Sequence, residues 1–346
     1  MRRRLGAWAM GLVVLALALT GCATLPPPLA AELQAGPAQG PDPYRLRTPS
    51  PVVPMAAPDA AHLARAPDPG QLVSGLVLVW SNPGATGLFV GLFGEPFMPW
   101  THIGLIAVEP DGVFVYDTNA NLSLTDQGPA TGHEGRGVQR IPYERYVDSG
   151  QIFGLYAPPP DVDTDRLLQH VREQYARRTP FDARFDADDP SALYCSELVA
   201  HAWVAAGAPP LRPVPARDHR SYNLVRQLLG IPDTGFYLPD QFIDPQRQLA
   251  LWSRTHSPAR IEALFAARRE LALRLAPDAP LGRLIRWDDA ALSLSAALHL
   301  REAPQRFVDA ALASTPVVET PAQARVRVHA LADAFFGPLP QPAGRP

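Results

Sequence analysis

The chain has 346 residues, of which 47% are hydrophobic, enough for a substantial core in one large domain or two small ones. Its net charge is −3 and its sequence pI is near 6.3, which gives no electrostatic reason to expect a nucleic-acid partner. The sequence contains 2 cysteines, Cys22 and Cys195, in very different surroundings.

The N-terminus predicts an exported protein. Three arginines precede an apolar run over residues 5–19, and Leu19-Thr20-Gly21-Cys22 follows. This pattern is typical of an export signal, and the run is short for a membrane span of about 20 residues. An uncleaved anchor is the alternative. Leu19-Thr20-Gly21-Cys22 resembles a bacterial lipobox, which implies a signal peptide over residues 1–21 and lipid attachment to the Cys22 sulfur. Ala23, rather than an aspartate, follows Cys22, which resembles the pattern of lipoproteins that are sorted to the outer membrane in Gram-negative bacteria.

Residues 22–70 predict a tether. The segment is rich in proline and alanine and has little apolar periodicity. Such a composition lacks enough apolar burial to offset chain entropy and favours extended conformations. We expect this segment to link the lipid anchor at Cys22 to a folded domain that begins near Gln71.

The folded part begins with β-prone sequence. Three strands are predicted, at residues 76–80, 101–108 and 113–117. The last two are joined by Glu109-Pro110-Asp111-Gly112, whose residue types favour a tight turn. If this turn has even length, antiparallel pairing places His102 and Asp117 on one face as direct or diagonal neighbours, whereas an odd length separates them.

Two helices are predicted next. The first runs from about Thr164 to Arg177, since Asp163 can cap it and apolar residues recur at helical spacing. The second begins near Cys195 and ends before Gly207. Its inward face has helical spacing and consists of Cys195, Leu198, Val199 and Ala202.

Cys195 is the candidate nucleophile. With Cys22 lipidated, Cys195 has no intramolecular disulfide partner. A thiol at a helix N-terminus is favoured as the thiolate by the helix dipole and the free N–H groups. An inert buried thiol is the alternative. His102 and Asp117 are a candidate base and a candidate orienting carboxylate, which completes the three roles of cysteine catalysis.

Four motifs along the chain form a recognisable set: Thr101-His102-Ile103-Gly104-Leu105-Ile106, Val115-Tyr116-Asp117, Thr179-Pro180-Phe181-Asp182 and Tyr194-Cys195-Ser196-Glu197-Leu198-Val199. Together they resemble the permuted papain-like amidases of the YaeF/YiiX type in the NlpC/P60 superfamily. The histidine precedes the cysteine, the reverse of papain order. The resemblance covers about residues 70–245 and implies an α+β permuted papain-like domain over residues 71–250, with an antiparallel sheet packed on the nucleophile helix.

The resemblance also implies roles for single residues. Cys195 attacks the substrate and His102 manages the proton, while Asp117 falls where the family has an acidic residue, glutamate in close relatives. The segment Phe236 to Phe242 is similar to the family's closing strand. Residues 179–182 are expected to build the cleft wall.

Tyr194 and Glu197 are further candidates beside the nucleophile. Tyr194 contacts the oxyanion or substrate, or it only packs. Glu197 complements the helix dipole in the first turn, or it binds a substrate ammonium. His201 lies six residues after Cys195 and so on another helix face, which makes it a poor base and predicts a surface position. There is no zinc signature or phosphate loop in the sequence, and the predicted chemistry requires no metal or cofactor.

Residues 257–337 predict a helical extension that packs on itself or on the catalytic domain, with partner docking as an alternative role. Four helices are expected, at residues 258–275, 280–300, 303–313 and 321–336.

The predicted function is a cysteine hydrolase that cleaves an amide in a peptide or peptidoglycan fragment. The lipid anchor predicts a periplasm-facing position in the cell envelope. One alternative is a lipid acyltransferase or phospholipase, in which four aromatic residues line an acyl-binding groove. These are Phe89, Phe93, Phe97 and Trp100. The other alternative is a non-catalytic lipoprotein that binds through the same cleft.

Overall fold

A computed structural model describes residues 65–81, 91, 97–119, 137–148, 152–215, 235–276, 279–282 and 294–340. The predicted signal peptide, Cys22 and nearly all of the tether lie outside these residues. The described part of the chain divides into two compact units, one ending at Pro258 and the other containing Ala259 and the residues after it.

The first unit is built on one six-stranded antiparallel sheet, which confirms the predicted α+β class. Its strands are β1 (Val77–Ser81), β2 (His102–Glu109), β3 (Gly112–Asn119), β4 (Gly137–Pro142), β5 (Ile152–Tyr156) and β6 (Gln248–Ser253). Their order across the sheet is β4-β3-β2-β1-β5-β6. The strands nearest the centre are buried almost throughout.

The β2–β3 hairpin decides where the predicted site residues lie. Glu109 pairs with Gly112, so only Pro110 and Asp111 form the turn, and its length is even. The register continues through Leu105 opposite Tyr116. Because side chains alternate along each strand, His102 and Asp117 share one face of the sheet as diagonal neighbours.

Three strands and a short helix were not predicted. β4 leads directly into α1 (Tyr143–Val147), and β5 pairs with both β1 and β6. The expectation of a closing strand over residues 236–242 is wrong. Phe236 forms a single bridge to Val214, and Pro239–Phe242 is a 3₁₀ turn. The last strand of the sheet is β6, because Pro239 fixes a turn conformation and cannot donate to a ladder.

The two predicted helices of this unit are present as α2 (Thr164–Ala176) and α3 (Cys195–Ala205). The Asp163 carboxylate accepts hydrogen bonds from two backbone N–H groups of α2, the N-cap arrangement expected from the sequence. Gly207 follows α3 with φ of 94°, a left-handed conformation that glycine adopts without steric cost.

The second unit contains α4 (Pro258–Arg274) from its second residue onward, α5 (Leu294–Ala313) and α6 (Pro321–Phe336). The predicted break between residues 300 and 303 is wrong, because one helix passes through Pro304. The Phe307 ring packs on Phe335 and Phe336, so α5 and α6 pack against each other. In the described part of the chain, no helix combines the length and apolar character needed to cross a membrane.

Candidate active site

Cys195 is the first residue of α3, and its thiol is free. The segment before it is held by the loop at residues 179–182. The Leu193 N–H donates to the Pro180 carbonyl at 2.9 Å, and the Asp182 N–H donates to the Leu193 carbonyl at 3.2 Å. The Val138 N–H in β4 donates to the Thr179 carbonyl at 2.9 Å. These bonds tie the helix start to the edge of the sheet and hold the thiol in place.

His102 and Asp117 form a buried pair. The Nε2 of His102 lies 2.9 Å from Oδ2 of Asp117, and the two residues are 9% and 1% exposed. This contact orients the imidazole and leaves Nδ1 as the other ring nitrogen, and His102 is close enough to Cys195 to act on the pKa of its thiol. Thus one histidine joins the thiol to the carboxylate, the geometry of a nucleophile, a base and an orienting group.

The electrostatics favour an ionised thiol. Burial by itself raises the pKa of Cys195, but His102 and the backbone N–H of Ile103 reverse the effect and lower this pKa below its ordinary value. Burial lowers the pKa of His102, whereas the Cys195 sulfur and Asp117 raise it to about 10. The thiolate is the nucleophilic form of cysteine. At neutral pH the pair is therefore biased toward thiolate and imidazolium.

Gly104 keeps the space between the two strands open. A Cβ atom at this position would lie 2.8 Å from Cγ1 of Val115, 3.1 Å from the Tyr116 carbonyl oxygen and 3.3 Å from Cβ of Asp117. All three distances are shorter than an ordinary carbon contact of about 3.5–4.0 Å. The absence of a side chain here lets Asp117 reach diagonally to His102, even though aspartate is shorter than glutamate.

Sequence reasoning missed two residues around the site, Trp80 and Tyr146. Trp80 pairs directly with His102 across β1 and β2, and the two ring centroids are 4.8 Å apart. The Trp80 indole N–H donates to the Tyr146 hydroxyl at 3.0 Å. Trp80 could have been found from the sequence, because it ends the predicted strand that precedes the strand of His102. Tyr146 had no signal, because α1 was not predicted.

The structure favours a packing role for Tyr194. The side chain is 2% exposed and packs against Phe236 and Phe185. Its hydroxyl accepts the Tyr237 N–H at 2.7 Å. The Tyr194 hydroxyl therefore holds the backbone at Tyr237 in place, next to the start of α3.

The structure favours a capping role for Glu197. The residue is fully buried, and its Oε2 accepts the Tyr194 N–H at 3.4 Å. Burial raises its pKa to about 8, and Asp182 adds to the shift. His201 lies one turn along α3 with Nε2 3.9 Å from Oε1 of Glu197, and its side chain is 35% exposed, so its expected surface position is met only in part.

Two of the four aromatic residues expected to line an acyl groove are described, and neither is exposed. Phe97 and Trp100 are buried, at 5% and 4% exposure, and the Trp100 ring packs on Tyr156. Phe89 and Phe93 lie outside the described residues. Within the described ranges, no three histidine, cysteine or acidic side chains converge on a position suited to a metal ion.

Comparison with known proteins identifies no family. No protein-family model matches the chain, and no curated protein matches it. Among solved structures, one similar chain is the crystal structure of metalloprotein YiiX from Escherichia coli O157:H7. The two share 15% identity over 54% of this chain and 99% of that chain, with a TM-score of 0.37.

Proposed function

We propose that this protein is a cysteine hydrolase that cleaves an amide bond through an acyl-enzyme. The observation that carries the proposal is the position of His102, which contacts the buried Asp117 carboxylate and lowers the pKa of the Cys195 thiol. A buried structural thiol has no need of a histidine that is itself held by a buried carboxylate. The order of histidine, acid and cysteine along the chain supports a permuted papain-like arrangement.

The reaction follows from these three groups. The Cys195 sulfur attacks the carbonyl carbon, and the C–N bond breaks as His102 gives its proton to the leaving amine. Water then attacks the thioester while His102 takes a proton, which releases the acid and restores the thiolate. The Cys195 backbone N–H, free at the helix start, is suited to stabilise the developing oxyanion. Asp117 holds the imidazole in its orientation throughout.

The substrate and location are proposed from the sequence. The lipobox-like residues before Cys22 support a lipid anchor facing the periplasm. Peptides and peptidoglycan fragments are amide substrates that occur in this compartment. Cys22 lies outside the described residues. Incorporation of radiolabelled palmitate into the wild type and its loss in Cys22→Ala would test the anchor. Wild-type protein that takes up no label would refute it.

Activity is tested with purified protein against muropeptides and, separately, phospholipids. We expect amide cleavage by the wild type and none by Cys195→Ala or His102→Gln, with circular dichroism unchanged. His201→Gln is the matched control, since it makes the same substitution at a histidine that lies on α3, the helix of Cys195, but on a different face from the thiol. Cleavage by Cys195→Ala would refute the mechanism, and release of a fatty acid in place of a peptide product would favour the lipid alternative.

Reactivity toward iodoacetamide tests the thiol independently of substrate. An ordinary thiol has a pKa of about 8.5. Because the pKa of Cys195 is lowered, it should be alkylated at pH values well below that of an ordinary thiol. Its reactivity should fall only as the pH drops through this lower pKa. In His102→Gln the rate should fall at neutral pH. A wild-type rate no faster than that of a free thiol would support the non-catalytic alternative.

A further inference from the structure

Tyr146 lies on the same side of the sheet as the candidate catalytic pair. It belongs to a buried apolar cluster with Ile106 and Val115, and strand alternation places both of these residues on the face that carries His102 and Asp117. Helix α1 follows β4 without a loop and brings Tyr146 back over this face. The hydroxyl is therefore buried behind the histidine and its carboxylate.

Trp80 orients this hydroxyl. The indole N–H has no acceptor function and donates to the Tyr146 oxygen at 3.0 Å. Since the oxygen acts as the acceptor in that bond, the proton of Tyr146 remains to be donated to another group. The same Trp80 ring lies 4.8 Å from the His102 ring. One side chain thus touches both the histidine and the tyrosine.

Asp117 has an oxygen that matches this donor. Its Oδ2 is engaged with His102 at 2.9 Å, whereas Oδ1 is buried and, among the described residues, accepts no hydrogen bond. A buried carboxylate oxygen without a donor is costly. The Tyr146 hydroxyl is close enough to this carboxylate for Asp117 to act on its pKa. Burial raises the pKa of Tyr146, and the neighbouring negative charge of Asp117 raises it further.

We propose that Tyr146, oriented by Trp80, is a positioning residue that donates its hydroxyl proton to Oδ1 of Asp117. The bond anchors the short carboxylate so that Oδ2 stays on His102 and the imidazole stays aimed at Cys195. Tyr146 touches neither the substrate nor the reacting atoms, and it acts through Asp117. This inference rests on the proposed function, since it concerns the same thiol.

The test is the pH dependence of Cys195 alkylation by iodoacetamide, measured on the full chain by mass spectrometry of the Cys195 peptide. In Tyr146→Phe the ionised Asp117 carboxylate loses a hydrogen-bond donor, so the thiolate–imidazolium pair should already be lost at a higher pH. The acid limb, which is the fall in the alkylation rate as the pH decreases, should therefore move up by about one pH unit. Turnover of the muropeptide substrate should fall mainly in kcat, with little change in KM.

Two further variants separate positioning from packing. Tyr143→Phe is the matched control, because Tyr143 is a second buried tyrosine of α1 and its hydroxyl donates to the Pro67 carbonyl at 3.2 Å. It should leave the acid limb unchanged. In an Asp117→Asn background, Tyr146→Phe should shift the limb no further.

An unmoved acid limb in Tyr146→Phe would overturn the inference while leaving the proposed function intact. So would an equal shift in Tyr143→Phe, or an undiminished shift in the Asp117→Asn background. By contrast, a wild-type Cys195 with ordinary thiol reactivity would overturn the proposed function itself, whatever Tyr146→Phe does.

Discussion

Replacing Gly104 with alanine is expected to damage both the sheet and the candidate site. The new Cβ would lie 2.8 Å from a Val115 methyl, 3.1 Å from the Tyr116 carbonyl oxygen and 3.3 Å from the Asp117 Cβ. A rotamer change can move the methyl, but the carbonyl is backbone in the neighbouring strand. Relief therefore requires β2 and β3 to part by a few tenths of an ångström at this position.

The magnitude follows from these contacts. Overpacking of this kind costs about 1–3 kcal/mol of the free energy of unfolding. The same movement lengthens the 2.9 Å contact between His102 and Asp117 toward the limit of a hydrogen bond, about 3.2 Å. Because small misplacements of catalytic groups are expensive, we expect turnover to fall by about 10-fold to 100-fold.

Urea unfolding measures the first effect, and alkylation of Cys195 below pH 7 measures the second. Gly70→Ala is the control, because its Cβ would meet only the Asp68 carboxylate, at 3.3 Å, in an exposed turn. We expect this control to stay within about 0.5 kcal/mol of the wild type. A Gly104→Ala protein with wild-type stability would refute the steric argument. Lost stability with unchanged alkylation would refute the link between strand spacing and the site.

Three other substitutions test the fold around the site and in the helical unit. Asp163→Ala removes the N-cap of α2 and should cost about 1 kcal/mol in urea unfolding. Arg274→Ala leaves the Glu270 and Asp333 carboxylates without their buried guanidinium and should destabilise the second unit by about 3–5 kcal/mol. Glu197→Gln should flatten the pH dependence of stability. Since burial raises the pKa of Glu197 to about 8 in the folded protein, wild-type stability is fullest below the ordinary glutamate value and falls as pH rises through about 8.

For each of these substitutions, one result would contradict the prediction. An Arg274→Ala protein whose helical unit unfolds at the wild-type urea concentration would mean that its ion pairs contribute nothing net. Equal slopes of stability against pH for Glu197→Gln and the wild type would mean that the carboxyl titrates normally. For Asp163→Ala, an unchanged midpoint would show that water replaces the cap at no cost.

Local patterns were enough for several elements. Turn residues located the hairpin between β2 and β3, whereas the pairing of Glu109 with Gly112 decided its even length and hence the shared face of His102 and Asp117. Asp163 and Gly207 marked a helix start and a helix end where the structure has them. By contrast, β5 has no polar alternation because all five of its residues are buried, and the break expected between residues 300 and 303 is absent, since α5 runs without interruption from Leu294 to Ala313. Such cases depend on neighbours that are distant in the chain.

The sequence by itself determined a thiol at a helix N-terminus and a tight turn between the strands of His102 and Asp117, because helix starts and turns depend on a few neighbouring residues. Only the tertiary structure decided that His102 acts on the Cys195 thiol, that Tyr194 and Glu197 pack and cap around the helix start, and that Trp80 contacts both His102 and Tyr146. Those contacts join segments far apart in the chain. They depend on the order of strands in the sheet and on the packing of α1 and α3, which no local pattern specifies.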